Sequence, residues 1–327
     1  MFNPKGNGKG LTKEEASKPK TIGRFPRYFF SNFNLMFALN VFFFIGNFPL
    51  LFGLYALSGN LNVHTTSPAS SLFAPIYGAV KHIGDNPITA ALMGVHGTQT
   101  EVSMPTTLTY VFFGLTLLVF LTFGIVNIAI TYVMRNVVKG DTVSFIADIK
   151  YSIKRNYKQG LILGIIDLLF IGFIIYDLMF FFVSATSAIG SFLFGTMVII
   201  AVLYTMMRSY IYIMAVTFDL SIFKILKNAF IFALLGFKRN IAAFVFCALI
   251  WILDFLLMSV FFPIAIVLPV IFLMSLSMFI FVYAAYPKVK EIMIDPYYVS
   301  DDVGAMTHDE AALNPEETEE PIFKDRG

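Results

Sequence analysis

Six predominantly apolar stretches, each of about 20 residues or more, constrain this chain more than any other feature of its sequence. They run from Phe33 to Leu57, Leu108 to Val133, Leu161 to Ala185, Ile189 to Val216, Ile241 to Phe261 and Pro263 to Tyr286. At about 1.5 Å rise per residue, each helix would cross a hydrocarbon layer of roughly 30 Å. With 57% hydrophobic and 13% charged residues, the chain has too little polar material to coat a soluble globule. A closed barrel would need short alternating segments, which are absent. The expected fold is an all-α polytopic membrane protein with six transmembrane helices in a domain spanning 33–294.

Charge gives the bundle a direction. Seven basic residues precede the first span, from Lys5 to Arg27. Six lie between the second and third spans: Arg135, Lys139, Lys150, Lys154, Arg155 and Lys158. Four more (Lys224, Lys227, Lys238, Arg239) separate the fourth and fifth, and Lys288, Lys290, Lys324 and Arg326 follow the sixth. The opposite loops hold only Lys81. Cytoplasmic loops are the ones enriched in Lys and Arg, so both termini are expected in the cytoplasm and the protein in the cell membrane. The small residues Ala56, Ser58 and Gly59 after an apolar run imitate a signal-peptide cleavage site. The long polar lead and the length of the run favour a retained span.

Residues 1–32 read as a flexible basic arm ending in an aromatic anchor, Tyr28-Phe29-Phe30, and 295–327 as an acidic, solvated tail. Residues 58–105 form the one long extracytoplasmic loop. Within it, Phe73, Ile76, Tyr77 and Val80 have helical spacing. His64, His82 and His96 share that loop with Asp85 and Glu101, but their spacing matches no metal-ligand motif. The lone cysteine, Cys247, excludes an internal disulfide and cysteine-cluster metal sites. No cofactor or metal is expected.

The two larger inner loops share a design. Phe145, Ile149 and Ile153 form one apolar stripe, and Ile222, Leu226, Ala229 and Ala233 another. Each stripe predicts an amphipathic helix at the cytoplasmic interface, spanning Ser144 to Arg155 and Ile222 to Ala233. Each is followed by the same triplet, Lys154-Arg155-Asn156 or Lys238-Arg239-Asn240, before a span carrying one deep Asp. The basic residues Lys150, Lys154, Arg155, Lys158, Lys224, Lys227, Lys238 and Arg239 are candidate contacts for anionic lipid or a protein partner. A folded nucleic-acid reader is lacking.

Ionisable groups inside the spans cost roughly 2.5 to 3.5 kcal/mol each at a helix centre, so they need compensation. Asp167 and Arg208 lie at similar depth on adjacent antiparallel spans, which predicts a pair that either fixes helix packing or has a gating or substrate role. Asp177 and Asp254 fall in the outer half, as pathway groups or polar packing residues. Tyr204 and Tyr212 flank Arg208 at i±4, giving a face that could stack on a sugar ring or make cation-π contacts. No phosphate-cradling glycine loop, zinc-protease motif or nucleophile with a nearby base occurs, so no enzymatic activity is expected.

From the first span onward the chain resembles the YesL family of bacterial integral membrane proteins of unknown function. The likeness lies in Asn34-Leu35 leading to Phe48-Pro49 and Gly53, in the stretch Ala129 to Gly140, in Lys154 to Gly160, and in Phe237 to Asn240. It covers roughly Phe33 to Asp295, with Ser58 to Pro105 as a departure. The resemblance implies a Gram-positive-type cytoplasmic membrane and association with carbohydrate uptake. The expectation is thus an accessory component of an oligosaccharide ABC importer, in contact with its subunits, or else an autonomous small-solute or ion transporter or channel. An importer permease would carry a Glu-Ala-Ala loop between inner spans; the only such letters, Glu310-Ala311-Ala312, lie in the acidic tail.

Overall fold

The computed structural model describes residues 20–68, 87, 99–185 and 187–296. The basic arm up to residue 19, the expected loop helix, His82, His96, Asp85 and the tail beyond residue 296 lie outside the described residues. The chain divides into two compact units, one of Met1–Asn47 with Phe120–Gly327 and the other of Phe48–Val119.

In the larger unit, α1 (Phe25–Ser31) and α2 (Phe33–Gly46) meet at a bend of 75°. Then come α5 (Val119–Lys139), of which the part from Phe120 belongs here, α6 (Phe145–Val183), α7 (Ala188–Thr217), α8 (Ile222–Leu235), α9 (Phe237–Val260), α10 (Phe262–Leu268) and α11 (Met274–Val289). Helix α7 is the hub, packed against α6, α8, α9 and α11. Its last eight residues, Tyr210 to Thr217, are all buried.

The smaller unit pairs α3 (Pro49–Leu57) with α4 (Thr107–Thr116). Gly53 permits that approach, since a Cβ there would meet Thr116 at 2.9 Å. Strands β1 (Val63–Pro68) and β2 (Gln99–Met104) pair antiparallel, Val63 opposite Met104. The sequence reading had no strand here, although Val63, Thr65, Thr66 and Val102 are β-branched.

Five helical runs are long and apolar enough to cross a membrane: Thr107–Lys139, Phe145–Val183, Ala188–Thr217, Phe237–Val260 and Phe262–Ile294. The bent α1–α2 pair is a sixth if counted as one broken span. Leu169, Phe173, Ile199, Leu253 and Phe255 point outward from these runs, as surfaces meant for lipid do. The protein is thus an all-α polytopic membrane protein.

The first span departs from expectation. Phe33 to Leu57 is not one helix: α2 ends at Gly46, and Pro49 starts α3 afresh. Proline lacks the N–H an uninterrupted helix needs and suits the first helical turn instead. In the last span Pro269 opens a π turn, Pro269–Leu273. Asn40 of α2 stitches that turn to its neighbour. Its Nδ2 donates to the carbonyls of Pro269 and Val270, and its Oδ1 accepts from the Ser275 N–H. A polar side chain thereby satisfies backbone groups that lipid could not.

The stripes expected to rest at the interface are turned into protein. Ile149 is buried with Phe145 and Ile153 packed on the core, and Ile225, Ala229 and Ala233 of α8 are buried as well. The first amphipathic helix is also continuous with the following span, interrupted by non-helical backbone at Asn156 (φ −115°, ψ 15°). The two triplets nevertheless share one device. Asn156 Nδ2 donates to the Ser152 carbonyl and Asn240 Nδ2 to that of Ala233, each tying the break to the helical segment before it.

Candidate functional site

The polar centre of the bundle is built on a close crossing of α5 and α6. Gly124 lies directly against Gly160 and Gly164, and a Cβ on either Gly124 or Gly164 would overlap the opposing backbone. Small residues four apart allow such approach, because without a hydrophobic drive between helices in lipid, packing and hydrogen bonds must hold them. Asn127 on α5 and Asp167 on α6 flank the crossing, each three residues past the glycine of its own helix.

Helix α7 completes the site from the other side. Its residues Tyr204, Arg208 and Tyr212, four apart, share a face and converge on Asp167, whose side chain is 1% exposed. Tyr204 Oη donates to Asp167 Oδ1 at 2.8 Å, Arg208 Nε to Oδ2 at 2.7 Å, and Tyr212 Oη to Oδ2 at 2.6 Å. Arg208 Nη2 donates to Asn127 Oδ1 at 3.2 Å, and Asn127 Nδ2 to the Phe123 carbonyl at 2.8 Å. The guanidinium lies 5.2 Å from the Phe123 ring centroid and 5.6 Å from that of Tyr212, while Phe170 stacks on Tyr204 at 5.4 Å.

One negative and one positive charge thus neutralise each other, with three donors on the carboxylate. The arrangement makes a stiff clamp between α6 and α7 in which the carboxylate is fully engaged. Arg208 keeps 28% of its side chain exposed, and its Nη1 makes no hydrogen bond among the described residues.

The remaining sequence candidates are dispersed. Asp177 is half-buried, without a hydrogen bond or ion pair among the described residues. Asp254 is buried on α9 with Oδ1 unpartnered, and nothing joins it to Asp177. Lys150, Lys154, Lys158, Lys227 and Lys238 are exposed, as is Lys224. Arg155 donates to Tyr151 Oη at 2.7 Å. Arg239 is half-buried, and its Nη2 donates to the carbonyls of Lys20 and Tyr283 at 3.2 and 3.3 Å.

Asn127 and Phe123 belong to the site although neither is among the residues that the sequence pattern singles out. The legible signal was Gly160-x-x-x-Gly164, which marks the face of α6 that touches α5. Arg135 was also read only as a loop charge. It bridges α5 to the end of α7, with Nη1 on the Val216 carbonyl at 2.7 Å and Nη2 on Asn136 Oδ1 at 2.8 Å. No group of three or more metal-ligating side chains occurs among the described residues.

Residues 104–178 match the family model described as "Protein of unknown function, DUF624". The matched segment carries Gly124, Asn127, Gly160, Gly164 and Asp167, the α5–α6 half of the clamp, and stops short of α7. No curated protein and no solved structure matches the chain.

Proposed function

We propose that this chain is a non-enzymatic accessory subunit of a carbohydrate ABC uptake system, of YesL type, seated in the cytoplasmic membrane with both termini inside. The observation that carries the reading is the closed network on Asp167. A transport pathway needs polar groups that can exchange partners around a hydrated cavity near the midplane. Here Asp167 and Arg208 are consumed by helix packing, and the exposed cations Lys150, Lys154, Lys227 and Lys238 remain at one end of the bundle for a partner or anionic lipid. The carbohydrate assignment rests on the YesL resemblance. Affinity purification from native membranes should recover importer subunits, and deletion should lower oligosaccharide uptake. Intact uptake with no importer subunit recovered would refute the proposal.

One observation favours the rival, an autonomous transporter: the buried, unpartnered Oδ1 of Asp254. Reconstituted vesicles distinguish the two. A solute flux from the purified chain alone, abolished by Asp254→Asn, would establish the rival, and absence of flux is expected.

A further inference from the structure

At the basic end of the bundle the break at Asn156 opens a cavity of about 560 Å³. One wall is the run Arg155, Asn156, Tyr157, Lys158 and Gln159, and the other is the end of α7 with its exit turn, Ala215 to Asp219. Its volume falls within the roughly 300–1,000 Å³ usual for small-molecule sites. Two cations, Arg155 and Lys158, stand at its edge against one acid, Asp219. The terminal carbonyls of a helix would normally repel an anion. Here Arg135 covers them from behind, with Nη1 donating to the Val216 carbonyl and to Thr217 Oγ1. The balance around the cavity is therefore positive.

Its depth in the membrane is marked by its own lining. Tyr157 is half exposed, as aromatic residues at the headgroup level are. About one turn further along the same helix Ile162 is exposed, followed by Leu169 and Phe170, so the lipid-facing surface begins beside the cavity. Phe223, the second residue of α8 and four beyond Asp219, is more exposed still. A charged headgroup entering here could lay its acyl chains directly on apolar surface, whereas a free anion would gain nothing from that surface.

We infer that this cavity binds the phosphate of an anionic membrane lipid, gripped by Arg155 and Lys158, with its chains along the exposed face of α6. Basic pockets between membrane helices commonly serve this purpose. The inference does not depend on an importer partner, since it concerns lipid alone.

The test uses the full chain in neutral detergent, titrated with short-chain phosphatidylglycerol, short-chain phosphatidylcholine, glycerol phosphate and inorganic phosphate, read by thermal shift and by native mass spectrometry. Phosphatidylglycerol should bind saturably at one site. Arg155→Gln and Lys158→Gln should each weaken it about tenfold, and Lys290→Gln, an exposed cation outside the cavity, should leave it unchanged. All three positions are exposed, so folding is not at stake, and the unliganded melting temperature checks this directly. Equal binding of glycerol phosphate or inorganic phosphate would assign the site to a free anion and overturn the lipid. Equal binding of phosphatidylcholine, or equal loss from Lys290→Gln, would overturn the site itself.

Discussion

Replacing Asp167 by Asn and Arg208 by Gln, singly and together, tests whether the network is a mutual neutralisation or a set of independent contacts. At the observed 2.7 Å, an effective dielectric of about 20 gives an attraction of about 6 kcal/mol. Inserting each charge costs roughly 2.5 to 3.5 kcal/mol, so the two insertions together nearly cancel that attraction. The pair is thus close to neutral in net stability, yet losing one member strands the other. Each single substitution should cost about 3–5 kcal/mol, and the double substitution only about 0–2 kcal/mol. The coupling should be at least about 3 kcal/mol. Tyr204→Phe, which removes a hydrogen bond to a charge, should cost about 1.5–3 kcal/mol in the native background and less once Asp167 is Asn. Reversible unfolding in mixed micelles, followed by helical circular dichroism and by the fluorescence of the single tryptophan, Trp251, supplies the free energies. Single losses under about 1 kcal/mol, or a double loss equal to the sum of the singles, would refute the reasoning.

Three further outcomes are expected. Gly164→Val drives a side chain into the Gly124 backbone and should cost at least the roughly 1–3 kcal/mol of ordinary overpacking, whereas Gly172→Ala, with open space around it, should stabilise by about 0.5–1 kcal/mol in the same unfolding assay. Asp254→Leu removes a buried carboxyl with an unpartnered oxygen and should raise stability by about 1–3 kcal/mol; a loss would mean that the carboxyl has a binding role. Lys20, whose Nζ donates to Tyr28 Oη at 2.6 Å, is pushed down to about 8 by burial, aided by Lys290 and Arg24. Its folded value lies below that of an unfolded lysine, so the unfolded chain binds more protons between about pH 8 and 10.5, and stability should rise with pH across that window. Competitive acylation with mass-spectrometric readout should place the Lys20 midpoint near 8, and a midpoint near 10.5 would contradict its burial.

Much of the site was legible in the chain because depth in a membrane can be counted. Residues of one helix advance by a fixed rise, so Asp167 and Arg208 could be matched across two antiparallel spans, and Tyr204 and Tyr212 followed from their four-residue spacing on α7. Helix rotation was not countable. Whether Tyr204 faced a sugar, lipid or Asp167 depends on how α6 and α7 are turned, and only packing fixes that. Asp177 and Asp254 show the same limit in reverse. Both lie within apolar spans, but nothing in those spans indicates that one is half-buried without a partner among the described residues and the other sealed in against α9's neighbours.

The sequence by itself determined that this is a helical membrane protein, because its apolar runs match the thickness of a bilayer and its charges leave no soluble alternative. It also determined that the deep charges need compensation, because lipid solvates none of them. The tertiary structure alone decided where compensation comes from: the Gly124 contact with Gly160 and Gly164 that brings Asn127 to Arg208, the Asn40 stitch across the π turn, and the inward turn of Arg239. It also decided that the first span is broken and that the amphipathic stripes face protein. The reason is common to all of these. In lipid, apolar surfaces are nearly indifferent to one another, so small residues in contact and a few hydrogen bonds select the helix rotation, and those partners lie far apart along the chain.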